Sequence, residues 1–153
     1  MPEFDLQFHH FLVRDEEPLL FHAGLKAMFP LLRDAAATLI DPTQLRHIAW
    51  SHFESDEIGG LNHWLELAPL AQPVCTLVGK LVSVDDVALR PARGMAEGDV
   101  LSTGQYRQPS ISMPSPMQER LLVRRSFDVS CNTIRSRVLT GVPERPACLW
   151  RCC

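Results

Sequence analysis

Residues 47–69 read HIAWSHFESDEIGGLNHWLELAP, and three patterns follow one another within them. HIAWSH is a short apolar run of the extended, buried kind. SHFESDE then places His52, Glu54 and Asp56 at every second position. In IGGLNHWLELAP, Ile58, Leu61, Trp64, Leu65 and Ala68 recur at the spacing of one helical face, and Pro69 marks its end. Strand, loop and helix in that order put the loop beyond the carboxyl end of a strand, where open α/β sheets gather their ligands.

The side chains on that loop have a definite chemistry. A neutral imidazole and two carboxylates are ligands for first-row metals; with open coordination positions they suit non-haem iron, and zinc and manganese also fit. If the segment is extended, His52, Glu54 and Asp56 share one side; if it is already turning into the helix, Asp56 swings to a neighbouring position. A plainer reading makes Ser55 and Asp56 helix N-cap residues, with Glu57 in the first turn facing the positive end of the helix dipole and His52 an ordinary strand-end residue. For Asp56 the two readings are compatible.

Among the other histidines, His22 is the best outside candidate for the same pocket, because it also ends a strand-like run, PLLFHA. His9 and His10 fall on opposite faces of a strand, and His47 and His63 read as structural. Trp50 and Phe53 are expected to pack the core. Gly59-Gly60 lacks the spacing of a dinucleotide or P-loop fingerprint and reads as allowing close approach of helix to sheet.

Working outward, FHHFLV and PLLFHA flank the charged turn RDEEP, a hairpin pattern. Residues 25–40, LKAMFPLLRDAAATLI, predict a helix of about three turns starting near Phe29 with Pro30 at its first position. DPTQLRH supplies turn chemistry and PVCTLVG another buried strand. KLVSVDDVAL is open between short helix and loop, and RPARGMAEGDVLSTG predicts two strands joined at AEGD. Strands alternating with helices give an α/β sheet with helices packed on it.

Length and composition fit one folded unit: 153 residues, 46% hydrophobic and 22% charged. No run approaches the roughly 18 to 20 apolar residues of a membrane span, and the start MPEFDLQFHH is acidic where a secretory signal is basic, so no membrane partner and a cytoplasmic location are expected. Five cysteines in no paired spacing support neither a disulfide framework nor a cysteine zinc site. The net charge of −3 conceals two compositions: residues 1–106 hold 7 Lys+Arg against 15 Asp+Glu and all six histidines, whereas 107–153 hold 8 Arg, no Lys and 3 acids. A net-acidic chain without a basic groove interleaved with aromatics excludes nucleic acid as the expected partner.

FLVRDEEPLLFHAG, LRHIAWSHFESDEIGGLNHWLELAP and ALRPARGMAEGDVLSTGQYR together resemble the metallo-β-lactamase-fold proteins of the oxygen-binding diiron branch, related to the catalytic domain of flavodiiron proteins. The likeness covers residues 4–106, with the His-x-Glu-x-Asp signature as its most specific part; the hydrolytic zinc enzymes of the same fold carry His-x-His-x-Asp-His. The resemblance implies the N-terminal half of an αββα sandwich and a pair of iron ions, with zinc as the alternative. His52 and Glu54 would bind one ion and Asp56 the other, with Glu57, which stands where many relatives have histidine, behind them; His22, singled out above for ending a strand, is placed behind them as well. It implies dioxygen as the small-molecule partner, an electron donor or signalling partner, and a homodimer as one open state. A metal-dependent hydrolase and a non-catalytic fragment or interaction domain are the rival readings.

The family also needs downstream histidines, and the tail has none. Residues 107–153, rich in Arg, Ser and Cys, are expected to be irregular, and their abrupt change of composition is what a shifted reading frame would produce.

Overall fold

The structure is a computed structural model, and it describes residues 6–109, 131–138 and 151–152. The hairpin pattern is realised as β1 (Leu6–Val13) and β2 (Leu19–Phe21), antiparallel with Phe11 opposite Phe21 and Val13 opposite Leu19. Beyond β2 the sheet continues in parallel through β3 (His47–Ala49), β4 (Gln72–Thr76) and β5 (Arg93–Met95). AEGD does turn the chain, but the next strand leaves the sheet. β6 (Val100–Ser102) pairs instead with β7 (Arg107–Pro109) in a separate two-stranded ribbon.

Within the stretch expected to be irregular, β8 (Cys131–Val138) lies antiparallel to β1 along its whole length, and β9 (Arg151–Cys152) extends that edge. The large sheet therefore runs β5-β4-β3-β2-β1-β8-β9. The short helix expected at MQERLLVRRSF lies outside the described residues.

Each helix has a local cause. α1 (Phe29–Ala37) carries Pro30 in its first turn, where no backbone donor is required, and buries Leu32, Ala35 and Ala36. α2 (Ser55–Ile58) is a single turn, and α3 (Leu61–Leu67) follows after Gly59-Gly60 with Leu61, Trp64 and Leu65 inward, the face read from the sequence. The PVCTLVG strand stops at Thr76 because the Thr76 hydroxyl accepts from Gly79 N at 3.1 Å, capping α4 (Leu77–Gly79). KLVSVDDVAL resolves as helix: a π turn over Lys80–Val84 runs into α5 (Asp85–Val87). Val78 of α4 and Leu81 and Val82 of the π turn are exposed.

The two faces of the sheet follow strand alternation. Leu12, Leu20, Ile48 and Cys75 face the helices and join Leu32, Leu65 and Trp64 in the main core. Their neighbours Val13, Leu19 and Val74 face the other way and pack with Met95 and Leu101 under the β6–β7 ribbon. Helices thus cover one face and a β-ribbon the other. All four parallel strands point their carboxyl ends to the same edge, which is where β3 delivers the His52 loop.

Candidate metal centre

β2 and β3 are neighbours with Phe21 opposite Ala49, so the residues that leave them are brought side by side. From β2 comes His22, in the left-handed region at φ +68°, the only such non-glycine among the described residues. Its backbone N–H donates to Ala49 O at 2.8 Å, and its Nδ1 donates to the carbonyl of His9 at 3.0 Å. Its own carbonyl accepts from His10 Nδ1 at 3.0 Å. His10 is buried, and that burial holds its imidazole down to about 4. His9 is exposed, so the pair does straddle the strand as expected.

From β3 come Trp50, Ser51 and His52. Trp50 is buried as expected, but Phe53 is 46% exposed, because the chain has left the sheet by that point. Glu54 is extended at φ −123° and ψ 154° and is the N-cap residue of α2, with no cap bond from its side chain. This corrects the expectation of a cap at Ser55 or Asp56, both of which lie inside the helix. The loop is therefore already turning, and Asp56 sits in the first helical turn rather than in line with His52 and Glu54.

Glu57 is the organising side chain. Its Oε2 accepts from Ser51 N at 2.9 Å and His52 N at 2.6 Å, and its Oε1 accepts from the Ser51 hydroxyl at 2.8 Å. His22 Nε2 lies 3.3 Å from Oε1 and 3.2 Å from Ser51 Oγ, while His52 Nδ1 is 3.7 Å from Oε1. Glu57 and His22, expected behind the candidate ligands, meet directly. Ser51 was not singled out, and only its place next to His52 hinted at it.

Gly59-Gly60 does what its composition suggested. A Cβ on Gly60 would lie 2.7 Å from Ala23 O, and one on Gly59 would lie 3.0 Å from Lys26 N. Trp64, fully buried, donates its indole N–H to the same Ala23 carbonyl at 3.0 Å. His63 packs against Phe29, with ring centroids 5.0 Å apart.

Among the described residues no three His, Cys, Asp or Glu side chains converge as a metal-holding group. Glu57 is turned inward, Glu54 is exposed and Asp56 is offset by the helix, so His52, Glu54 and Asp56 follow one another from loop into helix without forming a cage. The donors described here therefore do not fit a complete binuclear centre.

No family model and no curated protein matches the sequence. Solved structures do. The chain is similar to rubredoxin oxygen:oxidoreductase from Desulfovibrio gigas, with a TM-score of 0.59 and 23% identity over 65% of this chain and 26% of that one. A variant of the flavo di-iron protein from Thermotoga maritima gives 0.57 and 19% over 64% and 25%. MEM-A1, a subclass B3 metallo-β-lactamase from a soil metagenome library, gives 0.57 and 17% over 69% and 46%. The fold is metallo-β-lactamase-like. The chain spans between a quarter and a half of the length of these proteins. In that metallo-β-lactamase-like fold, the β3–α2 loop with His52 and Glu54, leading into Asp56 in the first turn of α2, lies at the carboxyl edge of the parallel strands.

Proposed function

We propose that this chain is the ligand-loop half of a metallo-β-lactamase-fold protein that binds or reduces dioxygen with two iron ions, and that its metal site is incomplete. The observation that carries the reading is the His52-x-Glu54-x-Asp56 loop at the carboxyl edge of β2–β5. In this reading His52 and Glu54 serve one ion and Asp56 the other; iron is the metal, with zinc as the alternative, and the bound metal would supply the dioxygen chemistry. Dioxygen and an electron donor or signalling protein are its partners. Because the donors described do not close a coordination shell, the chain's own contribution is limited to presenting a partly exposed imidazole and two carboxylates on a fixed loop.

A hydrolytic reading, in which a metal activates water against an ester, thioester or lactam, has the support of the similarity to metallo-β-lactamases. Glu54 favours the dioxygen branch, since the hydrolytic branch carries histidine there.

Equilibrium dialysis of the full chain against ferrous iron and zinc, under nitrogen, tests the proposal. Weak saturable uptake that is lost in His52→Ala and weakened in Glu54→Ala is expected, with no turnover of a chromogenic β-lactam when zinc is supplied. Uptake unchanged in His52→Ala overturns the ligand assignment, and zinc-dependent β-lactam turnover favours the hydrolase.

A further inference from the structure

The carboxylate of Glu57 sits at the junction of three chain segments. Glu57 is the third residue of α2, and helical side chains lean back toward the amino end of their helix, so its carboxylate falls over the loop that precedes it. There it meets the backbone N–H groups of Ser51 and His52 and the Ser51 hydroxyl. On the far side His22 Nε2 approaches to 3.3 Å. The main chain of the same residue ties the opposite direction: Glu57 O accepts from Ala23 N at 2.6 Å and Gly24 N at 3.3 Å, satisfying a carbonyl that a one-turn helix cannot use itself. One residue thus stitches the exit of β2 to the exit of β3.

The strain at His22 points the same way. A non-glycine residue with positive φ is unfavourable and persists where its surroundings over-determine it. Contacts with Ala49, His9 and His10 fix the His22 backbone and ring, and the imidazole that results is aimed at Ser51 and Glu57. Glu54 and Asp56, the carboxylates on either side of Ser55, lie on the loop's outer side or part-way in, whereas Glu57 is buried at 9% exposure.

The geometry points to Glu57 as a built-in anchor that fixes the His52 loop and the His22 strand end in final form before any metal binds, which makes it the positioning residue of the proposed site. The assignment rests on the metal-loop reading for its purpose, but the measurement that decides it is made on metal-free protein. A carboxylate gathering N–H donors is a charge-assisted interaction, and removing it leaves those partly buried donors without an acceptor. The loop then loosens locally while the main core, built on Trp64, Leu65 and Ile48, keeps its packing.

Amide hydrogen exchange of the full chain in excess chelator decides it. In the wild type, the Ser51 and His52 amides should be protected in chelator and unchanged when zinc is added. In Glu57→Gln those two amides should exchange about tenfold to a hundredfold faster, with β4 and α3 amides unmoved; Glu57→Asp should fall between. Zinc uptake by Glu57→Gln should weaken by at least about tenfold although Glu57 is not itself a ligand. If wild-type Ser51 and His52 amides are unprotected until metal is added, or if Glu57→Gln speeds exchange everywhere alike, the assignment is wrong. The wild-type measurement stands even if the variant fails to fold, and a failure to take up zinc in every form would count against the metal reading alone.

Discussion

Asp15 and Thr103 are 88 residues apart in sequence and joined by a hydrogen bond of 2.8 Å, the Thr103 hydroxyl donating to Asp15 Oδ2. The same oxygen accepts from Tyr106 N at 3.0 Å, and Asp15 Oδ1 accepts from Glu16 N at 2.8 Å. Partial desolvation acts to raise the Asp15 pKa, but the hydrogen bonds from Tyr106, Thr103 and Glu16 outweigh it and bring the group to about 2 from an ordinary 3.8. The charged turn RDEEP is therefore a clasp that fastens the β6–β7 ribbon to the β1–β2 hairpin. Because the folded pKa is the lower one, this contribution is complete above the ordinary carboxylate range and is lost as pH falls from about 4 through 2. Asp15→Asn should speed amide exchange at Tyr106 and remove that acid-dependent step. An unchanged Tyr106 amide would show that the clasp carries nothing.

His10 gives a second pH dependence of the same sign, in a higher window. Burial lowers it from 6.5 to about 4, so the folded chain keeps it neutral where the unfolded chain protonates it. Between pH 6.5 and 4 the unfolded state binds more protons, and stability falls as pH falls, by up to roughly 3 kcal/mol across the window. Urea unfolding at pH 7, 5.5 and 4.5 should show this decline. It should shrink in His10→Gln, which has no titrating ring; an equal decline in that variant would assign it to other groups.

Gly60 sits at φ −87°, which any residue adopts, so its need for glycine is one of space. Its missing Cβ is replaced by the carbonyl of Ala23, the one that also takes the Trp64 indole N–H. Gly60→Ala should cost about 1–3 kcal/mol in chemical denaturation by forcing α3 away from β2. A midpoint equal to wild type would mean that helix and strand exit are not in the close contact described.

What the sequence made legible was whatever depends on near neighbours. The strand-like run FHHFLV, the placement of Pro30 in the first turn of α1 and the face Leu61, Trp64, Leu65 are local patterns with local causes, and each is found in the element the pattern put it in. The fate of PVCTLVG turned on one hydroxyl, Thr76, whose cap ends the strand two residues before the apolar run does. β5 and β6 were visible as strands but not as members of different sheets, since partner choice is a long-range property. At the site, residue types were legible and orientation was not. His22 and Glu57 could be named from their positions, but their meeting through Ser51 depends on the parallel pairing of β2 and β3 and on the backward lean of a helical side chain.

The change of composition at residue 107 leads to a prediction about the gene. If the downstream residues are out of register, the coding DNA read in another frame beyond codon 107 will encode a histidine-containing continuation resembling the diiron branch. If neither alternative frame does so, the Arg-rich tail is native sequence and the strand Cys131–Val138 beside β1 is its own structural contribution.

In the proposed reading the His52 loop is ready for metal and, among the described residues, lacks the donors that would close a coordination shell. Metal analysis of the anaerobically purified full chain after gel filtration, beside His52→Ala, tests it most directly. Less than a full equivalent of iron or zinc should be retained, dependent on His52, with no signature of coupled ions. A tightly held, spin-coupled iron pair in the isolated 153-residue chain would contradict it.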